Sequence, residues 1–275
     1  MEPIRPVTVL SALLCAILQP VTDDLRAVVL DVDGTLVDSE RDGHRVAFNL
    51  AFEELELPYR WDPEGYGELL LVTGGKRRLA TYLEREGVDE PERDDLAGRL
   101  HRRKTELFQG LIEDGKVQPR PGVPELLDEL AAEGVRVSVA TTGTRAWVAP
   151  LLDQLFGLDR FEVVITREEA PDLKPDPSAY FLALEAMNVP PGPDVVALED
   201  SHNGLVAAKA ASLACVVVVN DYTRDQDFAD SELVLDGFGG DGSVGSLHDP
   251  YHLAPETRLD VATLRRVAGR GGDRR

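Results

Sequence analysis

The segment Leu30-Asp31-Val32-Asp33-Gly34-Thr35-Leu36-Val37-Asp38 sets two carboxylates two residues apart, directly after a run of apolar, β-branched residues. If 26–30 is a buried strand of a parallel sheet, Asp31 and Asp33 stand at its carboxyl end, where open α/β sheets hold their ligands. A carboxylate placed there can attack phosphorus and form an aspartyl phosphate, which divides one hard hydrolysis into two easier steps. A second carboxyl can protonate the leaving oxygen and then activate water. Asp31 takes the first role and Asp33 the second. The bland alternative is an acidic turn with Gly34 at positive φ, and the strand directly before it weighs against that reading.

Three more clusters could complete such a site. Val139-Ala140-Thr141-Thr142-Gly143 ends another apolar run with hydroxyls and backbone N–H groups suited to a phosphate, although Thr-Thr-Gly alone is also an ordinary strand-to-helix turn. Lys174, in Asp172-Leu173-Lys174-Pro175-Asp176-Pro177, lies in a loop stiffened by prolines. Its ammonium can stand as a fixed point charge over nucleophile and phosphate, though taken singly it reads as a solvated loop lysine. Glu199 and Asp200, in Leu198-Glu199-Asp200-Ser201-His202, end a further run. Facing Asp31, they make an oxygen-rich set that suits Mg²⁺. His202 reads as a surface or helix-start residue.

The elements that must position these groups are legible as punctuation. Apolar runs at 26–30, 135–140, 161–165, 194–198 and 214–219 read as buried strands. Helical stretches at 122–133, 145–156, 177–188 and 203–212 alternate with the later strands, and Gly134, Gly157 and Pro190 mark stops. The alternation predicts an α/β fold, a doubly wound Rossmann-like parallel sheet. The first two runs are far apart, and 40–118 carries helical periodicity with few strand signals. It reads as an inserted α-helical cap. The expected organisation is therefore an extension at 1–24, a catalytic core from 25–38 and 120–237, a cap at 39–119 and a tail at 238–275. That tail holds one amphipathic segment at 255–267, and its Gly-Arg-Gly-Gly-Asp-Arg-Arg end is expected to be disordered.

Composition narrows the partners. Across 275 residues, 29 basic side chains face 50 acidic ones for a formal charge of -21, which disfavours nucleic acid and anionic membranes as partners. A phosphorylated small molecule would need local positive charge. Cys15 and Cys215 form no metal-ligand spacing or redox pair, so a reducing, cytoplasmic setting is expected. The apolar stretch at 7–18 is too short to span a bilayer. A monomer is expected.

In this order, each after a strand, the four clusters resemble the haloacid dehalogenase superfamily of phosphohydrolases, over roughly 26–237. The resemblance implies Asp31 as nucleophile, Asp33 as general acid/base, and Thr141 and Lys174 as phosphate binders. It further implies Asp200 as a Mg²⁺ ligand with Asp31 and the Asp33 carbonyl, supported by Glu199. The superfamily's dehalogenases lack the second aspartate, so Asp33 argues for phosphate chemistry.

Within that superfamily, the cap looks like that of the CbbY proteins, which hydrolyse xylulose 1,5-bisphosphate, a misfire product that inhibits Rubisco. The likeness rests on Glu40-Arg41-Asp42-Gly43-His44-Arg45-Val46-Ala47-Phe48-Asn49, on Tyr66-Gly67-Glu68-Leu69-Leu70-Leu71-Val72-Thr73-Gly74-Gly75-Lys76-Arg77-Arg78, on Ala140-Thr141-Thr142, and on Asn220-Asp221-Tyr222-Thr223. It implies a phosphosugar substrate met by Asp38, His44, Lys76, Arg78 and Thr142. Lys76 and Arg78, in a glycine-rich loop, would clamp a second phosphate. Asp38 is shorter than the glutamate expected near this point in many CbbY proteins. A β-phosphoglucomutase would use the same core residues, and a phosphoglycolate phosphatase is a third reading.

Overall fold

The computed structural model describes residues 25–240 and 242–270, so the extension at 1–24 and Cys15 lie outside the described residues. Strand β1 (Ala27–Leu30) is buried throughout and pairs in parallel with β2 (Arg136–Ala140) on one side and β4 (Val195–Glu199) on the other. β3 (Val163–Ile165), β5 (Ala214–Val218) and β6 (Leu233–Leu235) extend the parallel array, and β7 (Ser246–His248) closes one edge antiparallel, giving the order β3-β2-β1-β4-β5-β6-β7. This is the α/β sheet expected from the apolar runs.

Register places the chemistry. Leu30 pairs with Val139 on one side and with Leu198 on the other. The residues that follow, Asp31, Ala140 and Glu199, therefore emerge at one level along the carboxyl edge of the sheet. Alternate residues of each strand face opposite layers. Val28, Leu30, Val139, Val196 and Leu198 belong to one buried cluster, which also contains residues of helices α5 (Val123–Ala132) and α6 (Arg145–Phe156). Ala27, Val29, Ala197, Cys215 and Val217 belong to the opposite cluster, with residues of α7 (Ser178–Ala186) and α8 (His202–Ala210).

Residues 40–113 carry helices alone. A π-turn, Glu40–His44, runs into α1 (Arg45–Glu54) and is followed by α2 (Pro63–Leu69), α3 (Gly75–Arg85) and α4 (Glu92–Glu113). Phe48, Phe52, Trp61, Tyr66, Leu79, Leu83 and Leu100 form a buried cluster of their own there. The two connections to the sheet lie side by side: Val37 bridges Pro119, and the Arg120 N–H donates to the Leu36 carbonyl at 2.9 Å.

The packing does not stop at 237. Phe238, Leu253, Leu259, Val261, Leu264 and Val267 join the first sheet cluster. The last three lie on α9 (Val261–Ala268), whose first turn is capped by Asp260 accepting from the Thr263 N–H. The reason is the stripe Val261, Leu264, Val267, Ala268, which repeats at helical spacing and has the sheet to bury itself against. Strands β6 and β7 escaped the sequence reading because their three residues stand among polar and glycine neighbours, without the flanking apolar residue that made 161–165 legible.

Candidate active site

Asp31 and Asp33 sit where β1 gives way to a tight turn, and Gly34 makes that turn at φ 81°. A Cβ at Gly34 would stand 2.3 Å from an Asp200 carboxylate oxygen, so the position accepts only glycine. Lys174 reaches across and donates to Asp31 Oδ1 at 2.7 Å and to Glu199 Oε1 at 2.5 Å. Burial opposes the lysine's charge, but the two carboxylates beside it hold its pKa above the ordinary value. Burial raises the Asp31 carboxyl, and Lys174 partly offsets that.

Oxygens of Asp31, Glu199 and Asp200 lie within 4.8 Å of one another. Burial, together with Asp31 and Glu199, pushes Asp200 well above the usual carboxylate range, and burial lifts Glu199 to about 7. Three crowded carboxyls facing one ammonium are a donor set that a divalent cation would relieve, and their hard oxygens suit Mg²⁺. Glu199 Oε2 is buried without a hydrogen-bond partner, which fits the same reading. Glu199 is fully buried and also takes a hydrogen bond from the Tyr180 hydroxyl, so it underpins Lys174 from below while Asp31 and Asp200 line the open cavity. Asn220 Nδ2 holds Asp200 Oδ2 at 2.7 Å.

Asp33 faces the helical unit. Its carboxylate accepts from the Ser39 hydroxyl, and His44 Nε2 lies 3.0 Å from Asp33 Oδ1. His44 Nδ1 is 2.8 Å from Lys104 Nζ. Burial, then the Lys104 charge, lowers the His44 pKa well below 6.5, so the ring is neutral. A neutral ring that accepts from Lys104 at Nδ1 donates from Nε2 to Asp33. Burial brings Lys104 itself down to about 8. The His44 ring is held between Phe108 and Trp147, with centroids 4.0 and 5.1 Å away. Asp33, Glu40 and His44 also form a compact group, but Lys104 and Arg78 already neutralise it, so it reads as a hydrogen-bonded network.

Two cavities meet at this point. One, of about 530 Å³, is lined by Asp31, Asp33, Thr142, Lys174, Asp200 and Asn203 among others. A smaller one, of about 80 Å³, lies beside it, with His101, Lys104, Thr144 and Arg167 in its wall. Asp33, Glu40, Gly74, Arg78 and Thr142 line both. Arg78 is buried; it donates to the Tyr66 hydroxyl at 2.9 Å and to the Leu69 carbonyl at 3.1 Å, and it lies 3.9 Å from Glu40. The Tyr66 hydroxyl in turn donates to Glu40 Oε2 at 2.5 Å.

The expected residues divide. Asp31, Asp33, Lys174, Asp200, Thr142, His44 and Arg78 converge on the paired cavities. Thr141 is buried, with its hydroxyl accepting from the Gly143 N–H, and lines neither cavity. Lys76 is exposed and Asp38 half-buried, and neither lines either cavity; Arg120 is the cation nearest in influence to Asp38. Sequence reasoning missed Glu40, Tyr66, His101, Lys104 and Arg167 as site residues. Glu40 and His44 are four apart in a helical stretch, a spacing that puts them on one face and was the available signal. Tyr66, His101 and Lys104 come from other helices and Arg167 from the turn after β3, and they offer no local motif.

Comparison with known proteins agrees with this geometry. A family model described as haloacid dehalogenase-like hydrolase matches residues 25–212. A CBBY-like protein of Arabidopsis thaliana is 41% identical over 244 residues, 86% of this chain and 72% of that protein. Protein CbbY of Cereibacter sphaeroides is 41% identical over 226 residues, 81% of this chain and 96% of its own. Crystal structures of CbbY from Rhodobacter sphaeroides, one with phosphate and one of a point mutant with xylulose-(1,5)bisphosphate, superpose with TM-scores of 0.69 at 39% identity, covering 77% of this chain and 94% of theirs. With Asp31, Asp33, Lys174 and the pair Glu199–Asp200 assembled at the carboxyl edge of a parallel sheet, the chain belongs to the haloacid dehalogenase-like hydrolases, as a phosphatase of their CbbY-like branch.

Proposed function

We propose that the chain is a Mg²⁺-dependent phosphatase for a small phosphosugar, with xylulose 1,5-bisphosphate as its substrate. The observation that carries this reading is the pairing of the cavities. The first holds the reacting carboxylates, and the second is walled by His101, Lys104 and Arg167, with Arg78 shared between them. A bisphosphate needs an anion site at each end, and a chain of charge -21 supplies few such places. The similar R. sphaeroides CbbY with bound xylulose-(1,5)bisphosphate supports the choice of sugar. Residues 39–119 then act as the cap that brings Arg78, His101 and Lys104 to the distal site, where Arg167 of the core meets them.

In this mechanism an Asp31 oxygen attacks phosphorus, the bond from phosphorus to the sugar oxygen breaks, and Asp33 gives its proton to that oxygen. Burial raises the Asp33 carboxyl, which favours the protonated form the first step requires. Asp33 then takes a proton from water as the water oxygen attacks the aspartyl phosphate, freeing Asp31 and inorganic phosphate. Lys174 stays fixed against Asp31 and offsets charge on the phosphoryl oxygens. Asp31 and Asp200, with the Asp33 carbonyl, would hold Mg²⁺, whose positive charge stabilises the anionic transition state. His44 keeps Asp33 oriented through its Nε2.

The test is phosphate release from xylulose 1,5-bisphosphate, ribulose 1,5-bisphosphate, phosphoglycolate and β-glucose 1-phosphate, each with Mg²⁺ and with EDTA. Mg²⁺-dependent preference for xylulose 1,5-bisphosphate is expected. Preference for phosphoglycolate would overturn the substrate, isomerisation of β-glucose 1-phosphate without phosphate release would indicate a mutase, and full activity in EDTA would overturn the metal.

A further inference from the structure

Arg120 lies on the second connection between the helical unit and the sheet, outside every motif discussed above. Its guanidinium donates to three backbone carbonyls: Gly34 at 2.5 Å, Val218 at 2.8 Å and Val219 at 2.7 Å. Its own N–H meets the Leu36 carbonyl at 2.9 Å, and its guanidinium carbon lies 5.3 Å from the centroid of the Phe238 ring. These bonds go to main chain, so what the side chain fixes is the path of two segments.

Both segments end in the active site. The Gly34 carbonyl belongs to the residue after Asp33, in the turn that Gly34 closes by donating to the Val37 carbonyl at 2.8 Å. Val218 and Val219 precede Asn220, whose amide holds Asp200. The turn and the end of β5 approach closely enough for a Gly34 Cβ to meet both Asp200 and Asn220. We propose that Arg120 is a positioning residue for the phosphatase reaction, a fork that locks the Asp33–Gly34 turn to the end of β5 and so sets Asp33 and Asp200 at their working separation. A lysine cannot reproduce this, because one ammonium lacks the planar fork that reaches three acceptors at once. The tail takes part as well: Phe238 covers the guanidinium, and a Cβ at Gly240 would meet the Gly122 nitrogen at 2.2 Å, so residues 238–240 are packed tightly behind the connection.

The inference rests on the phosphatase reading for its consequence and on geometry for its content, and the experiment separates the two. Arg120→Ala and Arg120→Lys are compared with the parent for p-nitrophenyl phosphate hydrolysis and for backbone amide exchange. A displaced catalytic group costs about 10–100-fold in rate, so Arg120→Ala is expected to lose that much kcat with KM within about threefold. Arg120→Lys recovers little of it, and added guanidinium ion restores part of the Arg120→Ala activity in a saturable way. Amides at 32–37 and 218–223 lose protection while those of β2 and β3 keep theirs. Parental kcat in Arg120→Ala, full recovery by lysine, or a uniform loss of protection across the sheet would overturn the assignment. If the parent hydrolyses no phosphate ester, the phosphatase reading falls, and the exchange pattern alone still decides whether Arg120 pins the two segments.

Discussion

The sheet edge and the helical unit build their halves of the site in different ways. At the sheet edge, hydrogen-bonded register brings Asp31, Ala140 and Glu199 to one level, and Asp31, Asp33, Thr142 and Asp200 stand one to three residues beyond a strand. In the helical unit, Glu40, Tyr66, Arg78, His101 and Lys104 come from four separate helical segments and are held by hydrogen bonds and burial between helices. The first arrangement is rigid and suits bond making. The second touches the sheet edge chiefly through His44 and Asp33 and otherwise lines the cavities from the helices, which suits selection of a substrate.

If that contrast is sound, substitutions should sort into rate effects at the sheet and affinity effects in the helices. Asp31→Asn removes the attacking oxygen and should reduce phosphate release to background on every ester; measurable single-turnover hydrolysis would break the covalent scheme. Asp33→Asn leaves the nucleophile in place and should lower kcat by about 10²–10⁴-fold, less for esters whose leaving group needs no proton. Arg78→Ala should raise KM for a bisphosphate by roughly 10–100-fold, as loss of a charge-assisted bond of about 1.5–3 kcal/mol implies, with a much smaller effect on p-nitrophenyl phosphate. Equal effects on both would erase the distinction between the halves.

A milder effect concerns pH. Burial sets Lys104 at about 8, so kcat/KM should fall above that value as the donor to His44 loses its charge, and Lys104→Arg should move the fall to higher pH. Stability should respond with the opposite sign. Between about 8 and the unfolded lysine value of 10.5, the unfolded chain holds a proton that the folded chain has released, so this group makes stability rise with pH across that window and lose ground as pH falls back toward 8. Melting temperature and kcat/KM, measured from pH 7 to 10, check both signs. The smallest effect is expected from Lys76→Ala, less than about threefold in KM, because an exposed ion pair contributes little; a shift as large as that of Arg78→Ala would restore the two-residue clamp.

The same contrast explains what the sequence revealed. Asp31, Asp33, Lys174 and Asp200 were legible because fully buried strands announce themselves as apolar runs, and an open sheet dictates where its ligands lie. The loop at 73–78 was legible as a cationic, glycine-rich stretch, yet helix phase decides which cation points inward. The chain begins α3 at Gly75, which buries Arg78 and leaves Lys76 in solvent. Thr141 and Thr142 pose the same problem at a strand end, where one residue of offset exchanges the side chain that reaches the cavity. The role of Lys104 depends on α4 lying against α1, which no local pattern records. The end of the sheet was misjudged at Gly237 because α9 and the three-residue strands draw their stability from a surface built by residues far earlier in the chain.

One further consequence follows from the position of β1 in the sheet. Its first partner in register, Arg136, faces Ala27 across the whole of the helical unit, so the central pairing of the sheet is among the most distant in sequence that this chain makes. Contacts of that kind form slowly. The helical unit has its own aromatic cluster and brings Val37 and Pro119 together at its base, so its collapse shortens the loop that β1 and β2 must close. Local contacts of the helical unit are therefore expected to form before the central strands pair. Asp31, Lys174 and Glu199 come together only once β1 has met β2 and β4, so their assembly is expected late in folding.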